Sequence, residues 1–374
     1  MENLEIGMFK KIYSGKKVLI TGNTGFKGSW LSAWLLQLDA KVYGISIDIP
    51  TKPSIFEALE LEKKVVHHYA DINDLDEMKK IISDIQPDFL FHLAAQPIVS
   101  LSYTNPVQTF QTNVIGTANI LEALRLSNHP CTAIIISSDK CYENIEWLWG
   151  YKETDHLGGK DPYSASKGAC EVVVHSYYHS FFKNSESKVR IVSARSGNVI
   201  GGGDWSPNRL IPDCIKAWQS NQKAEIRHPD SVRPWQHVLE PLSGYLSLGQ
   251  VLHEDVSKNG EPYNFGPSSS ESYTVLEMLS ELSSHWDKKN HDGSFFVDKK
   301  KSFYEASVLK LNCDKATDQL KWRPTLEFGT AVELTASWYK AFYEGKKNMY
   351  SFTSSQIDEY TSLAAKKNLS WAHP

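Results

Sequence analysis

The sequence predicts an α/β fold: a Rossmann-type, doubly wound parallel sheet with a smaller, mostly C-terminal second unit. Three observations carry this. Short apolar runs alternate with longer amphipathic stretches through the first half of the chain. A glycine-rich turn follows the first of those runs directly, and the rhythm breaks after about residue 196.

Taken in order, 17–21 (Lys-Val-Leu-Ile-Thr) reads as a buried strand, and 30–38 as a helix behind the glycines. Residues 41–47 and 65–69 read as the second and third strands, and 74–85 as a helix. A fourth strand at 88–93 leads to a long helix at 106–126, a fifth strand at 132–137, a helix at 164–182 and a sixth strand at 189–194. Beyond that come a short helix (209–219), a strand (224–227) and a loop at Arg233-Pro-Trp-Gln236. A helix at 239–252 and strand character at Tyr263-Asn-Phe265 are expected to return the chain to the sheet, ahead of helices at 275–286 and 329–343. The division expected is 1–196 rejoined by 237–266 as one unit, with 197–236 and 267–374 as the other.

The 374 residues are 41% hydrophobic and 22% charged, enough apolar material for a large core. A net charge of −4 argues against non-specific nucleic-acid binding. No apolar run approaches the roughly 18 residues of a membrane span, and the first seventeen residues contain no apolar leader, so neither membrane insertion nor export is expected. The five Cys contain no C-x-x-C pair and the 13 His no ligand spacing, so neither a disulfide framework nor a metal is expected. The expectation is a cytoplasmic protein.

The turn Gly22-Asn23-Thr24-Gly25-Phe26-Lys27-Gly28 has the spacing G-x-x-G-x-x-G between a strand and a helix. Glycines there let backbone N–H groups approach a pyrophosphate at the positive end of the helix. Asp48, 26 residues past Gly22, ends the second strand, where an acid can bond ribose hydroxyls. No Arg follows it closely to take a 2′-phosphate, so NAD is expected rather than NADP.

Tyr163-Ser-Ala-Ser-Lys167 places a phenol and an ammonium four residues apart on one helix face, where the cation favours a tyrosinate base. Chance alone supplies roughly 1.5 such pairs in a chain of this composition. Tyr13…Lys17 is one, and it reads as coincidence. Tyr163 differs by opening the helix after the fifth strand, which ends in Ser137-Ser138 and so offers a hydroxyl for a substrate oxygen.

These motifs, with His92-Leu-Ala-Ala95 and Asn113-Val-Ile-Gly116, resemble the extended short-chain dehydrogenase/reductase family. Within it, Ser138-Asp139-Lys140-Cys141-Tyr142-Glu-Asn144, Gly201-Gly-Gly-Asp-Trp205 and the segment from Arg233 to Gly244 resemble its CDP-glucose 4,6-dehydratase branch. The resemblance implies an NAD-binding Rossmann unit and a nucleotide-sugar-binding lobe, with CDP-D-glucose as substrate. It places Asp71 and Ile72 at the adenine, Leu93, Ala94 and Ala95 along the cofactor and Asn113 toward the nicotinamide; Tyr163 and Lys167 also contact the cofactor. Gln96, Ser138, Asn198, Arg209 and Arg233 would contact the sugar nucleotide. The catalytic set implied is Ser138, Asp139, Lys140, Tyr163 and Lys167. Asp139 would protonate the departing C6 hydroxyl, and Lys140 would act at C5 as a deprotonated base or by stabilising the enolate. Asn208 stands where an acid before Arg209 is expected. The resemblance also implies a homodimer built on 106–126 and the Tyr163 helix, and a product that feeds deoxysugars of bacterial surface polysaccharide. A UDP-hexose 4-epimerase, a dTDP- or GDP-sugar dehydratase and a non-catalytic NAD-sensing module remain the alternatives.

Overall fold

The computed structural model describes residues 7–226, 228–268, 272–286, 295–297, 308–345 and 348–373. Its centre is a sheet of seven strands: β1 (Lys17–Thr21), β2 (Lys41–Ser46), β3 (Val66–Tyr69), β4 (Phe89–His92), β5 (Cys131–Ile136), β6 (Val189–Ser196) and β7 (Pro262–Phe265). Every ladder is parallel, in the order β7-β6-β5-β4-β1-β2-β3. The winding reverses between β1 and β4, so ligand-binding groups are expected beyond the carboxyl ends of these strands.

Both faces of the sheet are buried because successive side chains alternate across it. Val18, Ile20, Phe89, Phe91, Ile134 and Val192 join one core, with α1 (Phe26–Gln37) and helices of the later chain. Leu19, Leu90, Ala133, Ile135 and Ile191 join the other, covered by α2 (Leu75–Ile85), α3 (Gly116–Ser127) and α4 (Pro162–Tyr177). The later chain adds α5 (Leu210–Gln219), α6 (Leu239–Glu254), α7 (Val275–Trp286), α8 (Phe328–Glu344) and α9 (Met349–Lys366). As expected, the chain returns to the sheet at β7, beside β6. The strand expected at 224–227 spans Ala224–Ile226 and pairs with Phe295–Val297; Arg227 lies outside the described residues. Among the described residues no helix is long and apolar enough to cross a membrane.

Three differences from the expected elements have physical causes. The stretch 106–126 is not one α-helix. Pro106–Phe110 runs into a widened turn at Gln111–Ile115 before α3 begins, and a buried side chain, Asn113, occupies that turn. The expected 164–182 helix widens in the same way at Tyr178–Phe182. α9 was not anticipated: its inward Ile357, Tyr360 and Ala364 are diluted by Ser, Thr and Gln, but they pack beside α1. Tyr360 stacks on Trp371 at 5.7 Å and meets Trp34 of α1 edge-on at 5.7 Å.

The Tyr13…Lys17 pair lies at the amino end of the sheet, where Lys17 opens β1. Tyr13 is buried and its hydroxyl donates to the Leu246 carbonyl at 2.6 Å, while Lys17 Nζ donates to the Ile85 carbonyl at 2.7 Å. Both are committed to packing, as coincidence in the motif would require.

Candidate active site

Gly22 leaves β1 with φ of +76°, a conformation that favours glycine. A Cβ there would stand 2.8 Å from the Ala94 nitrogen, and one on Gly28 would stand 2.1 Å from the Gly22 carbonyl oxygen. The turn, the start of α1 and the end of β4 therefore meet backbone to backbone. Gly25 caps α1, whose first N–H groups have no partner within the helix, so the residues present fit a pyrophosphate.

The side chains between the glycines serve different purposes. Asn23 faces β2, where its Oδ1 accepts from Ser46 Oγ at 3.0 Å. Thr24 Oγ1 donates to the Asp48 carbonyl at 2.7 Å, which ties the turn to the end of β2 and leaves Asp48 exposed beyond it. Phe26 lies against Gly201, where a Cβ would come within 3.1 Å of its ring. Asp71, after β3, accepts from the Asn73 backbone and side chain at 2.9 and 3.0 Å. Ile72 is buried against Gly116, where a Cβ would meet its Cδ1 at 2.5 Å.

At the end of β4, His92 is buried and its pKa falls to about 3, chiefly through desolvation. The neutral ring bridges Thr21 Oγ1 (2.7 Å) and Thr117 Oγ1 (3.0 Å). Thr117 gives its one proton to the Asn113 carbonyl at 2.8 Å, so His92 Nε2 must be the donor to it. Thr21 then donates to Nδ1 and accepts from the Ala94 N–H at 3.2 Å. This chain fixes Leu93, Ala94 and Ala95, all half-buried. Asn113 completes it: Oδ1 accepts from the Gln96 N–H at 2.8 Å and Nδ2 donates to Ser166 Oγ on α4 at 2.8 Å. The Gln96 side chain is spent locally, on Thr109 and on the Ile98 N–H.

α4 begins at Pro162 behind Asp161, whose carboxylate accepts from the Ser164 N–H at 3.0 Å. That cap sets Tyr163 in the first turn and Lys167 one turn on, and both are buried. Facing α4 is the turn after β5. Ser138 Oγ accepts from the Lys140 N–H at 3.2 Å and donates to Asp139 Oδ1 at 2.9 Å. Asp139 is 3% exposed, and its Oδ2 has no hydrogen-bond partner among the described residues. A Cβ on Gly197 would come within 2.9 Å of that oxygen. Burial raises the Asp139 pKa; Lys140, the Ser138 bond and Lys27 oppose the shift. Lys140 is only half-buried and makes no ion pair with Asp139 among the described residues. Tyr142 anchors the turn, donating to Asn264 Oδ1 and accepting from Arg195 Nη1, both at 2.8 Å.

Lys27 reaches from α1 to Ser196 Oγ at the end of β6 (2.8 Å) and to the Tyr245 hydroxyl of α6 (3.5 Å). Its amine pKa falls to about 7, first through burial and then through repulsion from Arg209 and Lys167, against attraction from Asp139. Arg209 also lies within electrostatic reach of Tyr163. Its Nη1 is held by Asp204 Oδ2 at 2.7 Å, so the acid absent at 208 is supplied from 204. Arg233 is buried on the short strand Val232–Arg233, its Nη1 donating to the Val232 carbonyl at 2.9 Å. Asn198 is half-buried two residues past β6, its carbonyl accepting from the Gln236 N–H at 3.1 Å. The structure thus gathers Lys27, Asp139, Tyr163, Lys167 and Arg209 into one electrostatic neighbourhood.

The GDP-mannose 4,6 dehydratase family model matches residues 19–335. The chain belongs to this family. Among its relatives, the CDP-glucose 4,6-dehydratase of Salmonella typhimurium is 42% identical over 360 residues, covering 96% of this chain and 99% of that protein. The dTDP-glucose 4,6-dehydratase 1 of Escherichia coli is 27% identical, covering 86% and 92%. A dTDP-glucose 4,6-dehydratase of Streptomyces venezuelae, solved with NAD bound, shares the fold with a TM-score of 0.74 at 20% identity, over 89% of this chain and 99% of that one.

For a member of the GDP-mannose 4,6 dehydratase family, three contributors at this site escaped the motif reading. Ser196 and Tyr245, which hold Lys27, lie outside any recognised spacing. Asp204 stood within Gly201-Gly-Gly-Asp-Trp205, five residues before Arg209, and that proximity was the available signal.

The Lys27 amine sits at about 7 in the folded chain against an ordinary 10.5, so the folded state binds this proton less tightly than the unfolded one. Its destabilising effect is therefore complete below pH 7 and fades as pH rises toward 10.5. Lys27→Met is expected to raise the melting temperature of the cofactor-free protein most near pH 6 and less by about pH 9. An equal gain at both, or none, contradicts the assignment.

Proposed function

We propose that this protein dehydrates CDP-D-glucose to CDP-4-dehydro-6-deoxy-D-glucose with NAD as a recycled cofactor. The observation that carries the reaction type is Asp139: a buried carboxyl with a raised pKa, one oxygen without a partner among the described residues, facing the helix of Tyr163 and Lys167. C4 epimerisation needs no acid at that position. Loss of water across C5–C6 does. The nucleotide and sugar follow the 42% identical relative.

The backbone from Gly22 to Gly28 would hold the cofactor pyrophosphate and Asp48 its ribose. Bound NAD supplies the redox chemistry, oxidising C4 and later reducing C6. Tyr163 takes the O4 proton, with Lys167 one turn along the same helix face. Asp139 gives its proton to the C6 hydroxyl, which leaves as water. The C5 proton goes to the Lys140 amine, and the ammonium so formed stabilises the enolate until the proton returns to C5 as hydride reaches C6. Ser138 spends its proton on Asp139, so it orients the acid and keeps acceptor capacity for a substrate hydroxyl.

The proposal includes a homodimer. Val107, Ile115 and Val172 are 70, 52 and 57% exposed on the helical stretch around Asn113 and on α4, an apolar surface suited to the same surface of a second copy. All five cysteines are unpaired thiols, which suits a reducing cytoplasm.

Incubation with CDP-, dTDP-, UDP- and GDP-glucose should give a 4-keto product with the CDP sugar first. Asp139→Asn keeps the shape and removes the proton, and should cut product formation by ~10²–10⁴-fold while CDP still binds. A normal rate in that variant would place the acid elsewhere. Protein recovered from the cytoplasmic fraction should scatter light as a dimer at micromolar concentration. A monomer, or recovery with the envelope, contradicts this part of the reading.

A further inference from the structure

We propose that Asp204 is a positioning residue that holds the Arg209 guanidinium in the pose that receives the diphosphate of the sugar nucleotide. This rests on the nucleotide-sugar reading above.

The loop that carries Asp204 has little freedom. Gly203 has φ of +84°, and a Cβ there would stand 2.7 Å from Ile55 Cδ1; a Cβ on Gly202 would stand 2.1 Å from Trp338 Cγ. Trp30 Nε1 donates to the Gly202 carbonyl at 2.9 Å. The Tyr339 hydroxyl of α8 donates to the carbonyl of Asp204 itself. Trp205 is buried against Trp338, Tyr339 and Phe342, with ring centroids 5.6, 5.9 and 4.8 Å away. Helix α8 of the later chain therefore clamps the residues on both sides of the acid.

The acid is fully committed. Its Oδ1 accepts from the Ser206 N–H at 3.0 Å and its Oδ2 from Arg209 Nη1 at 2.7 Å. The two partners differ in exposure: the Asp204 side chain is 5% exposed and that of Arg209 35%. A pair built for stability alone would gain little from an arginine left this open to water. A guanidinium has five N–H donors in a planar fork. Fixing it through Nη1 leaves the rest of the fork to meet phosphate oxygens in one orientation, which lowers the ordering cost on binding. Arg209 is also the N-cap of the ten-residue helix α5, where the partial positive charge of the helix end reinforces anion binding. Its reach to Lys27 and Tyr163 sets it on the reacting side of the loop.

Asp204→Asn retains the shape and the acceptor for Ser206 while removing the charge that holds Arg209. The expected result is a rise of roughly tenfold in KM for CDP-glucose and in Kd for CDP, with kcat changed far less, because the charged hydrogen bond that fixes the guanidinium is weakened. In an Arg209→Met background the same substitution should add nothing. Arg209→Lys, which keeps the charge and loses the fork, should raise KM as Asp204→Asn does; it also serves if Asp204→Asn does not fold. Unchanged KM in Asp204→Asn, equal losses with and without Arg209, or wild-type KM in Arg209→Lys would each overturn the proposal. Wild-type protein that binds no CDP would instead defeat the nucleotide-sugar reading on which it stands.

Discussion

Asp139 sits where β5 runs into the site, with one carboxyl oxygen hydrogen-bonded to Ser138 and the other without a partner among the described residues, and removal from water in this way disfavours a carboxylate against its protonated form. The charges around it are arranged about that constraint. Lys140 and Lys27 pull its pKa down, burial pushes it up, and burial dominates. Lys27 in turn is poised near neutrality because it is desolvated and stands among Arg209 and Lys167. Asp139 and Lys27 therefore each influence the proton affinity of the other, and replacing either shifts its partner.

The coupling depends on rigid supports. The Gly22–Gly28 contact lets β1, α1 and β4 approach to backbone distance, which brings Lys27 across to β6. The His92 chain locks the end of β4, and Asn113 ties that end to α4 and so to Tyr163. Beneath Asp139, Tyr142 is pinned by Arg195, itself paired with Glu171 at 2.8 Å in a buried ion pair. Such a pair contributes little net stability but would be costly to break, which suits a part that must not move.

Much of this was legible in the sequence, for identifiable reasons. Parallel strands buried on both faces read as unbroken apolar runs, so β1, β2, β4, β5 and β6 could be placed within a residue or two. The glycine spacing and the Tyr163–Lys167 pair are local patterns, and local patterns survive without coordinates. What stayed hidden is non-local. The pairings of Lys27 with Ser196 and Tyr245 span 169 and 218 residues. α9 hid its inward face among hydroxyl residues, and the widened turn around Asn113 follows from a tertiary hydrogen bond, not from propensity. Arg209 follows from its motif, and the resemblance implies an acid at 208, where Asn208 stands; the folded loop pairs Arg209 with Asp204 instead.

The central claim is that burial raises the pKa of Asp139, and infrared difference spectroscopy followed across pH reads that shift directly. Spectra of the wild-type protein minus those of Asp139→Asn isolate this carboxyl from other buried acids such as Glu240, whose pKa is raised to about 7. The account predicts that the carbonyl stretch of the protonated acid persists in the difference to a higher pH than for an ordinary aspartate, whose pKa is 3.8. Paired bands of an ionised carboxylate that replace it at or below that ordinary value would contradict the account.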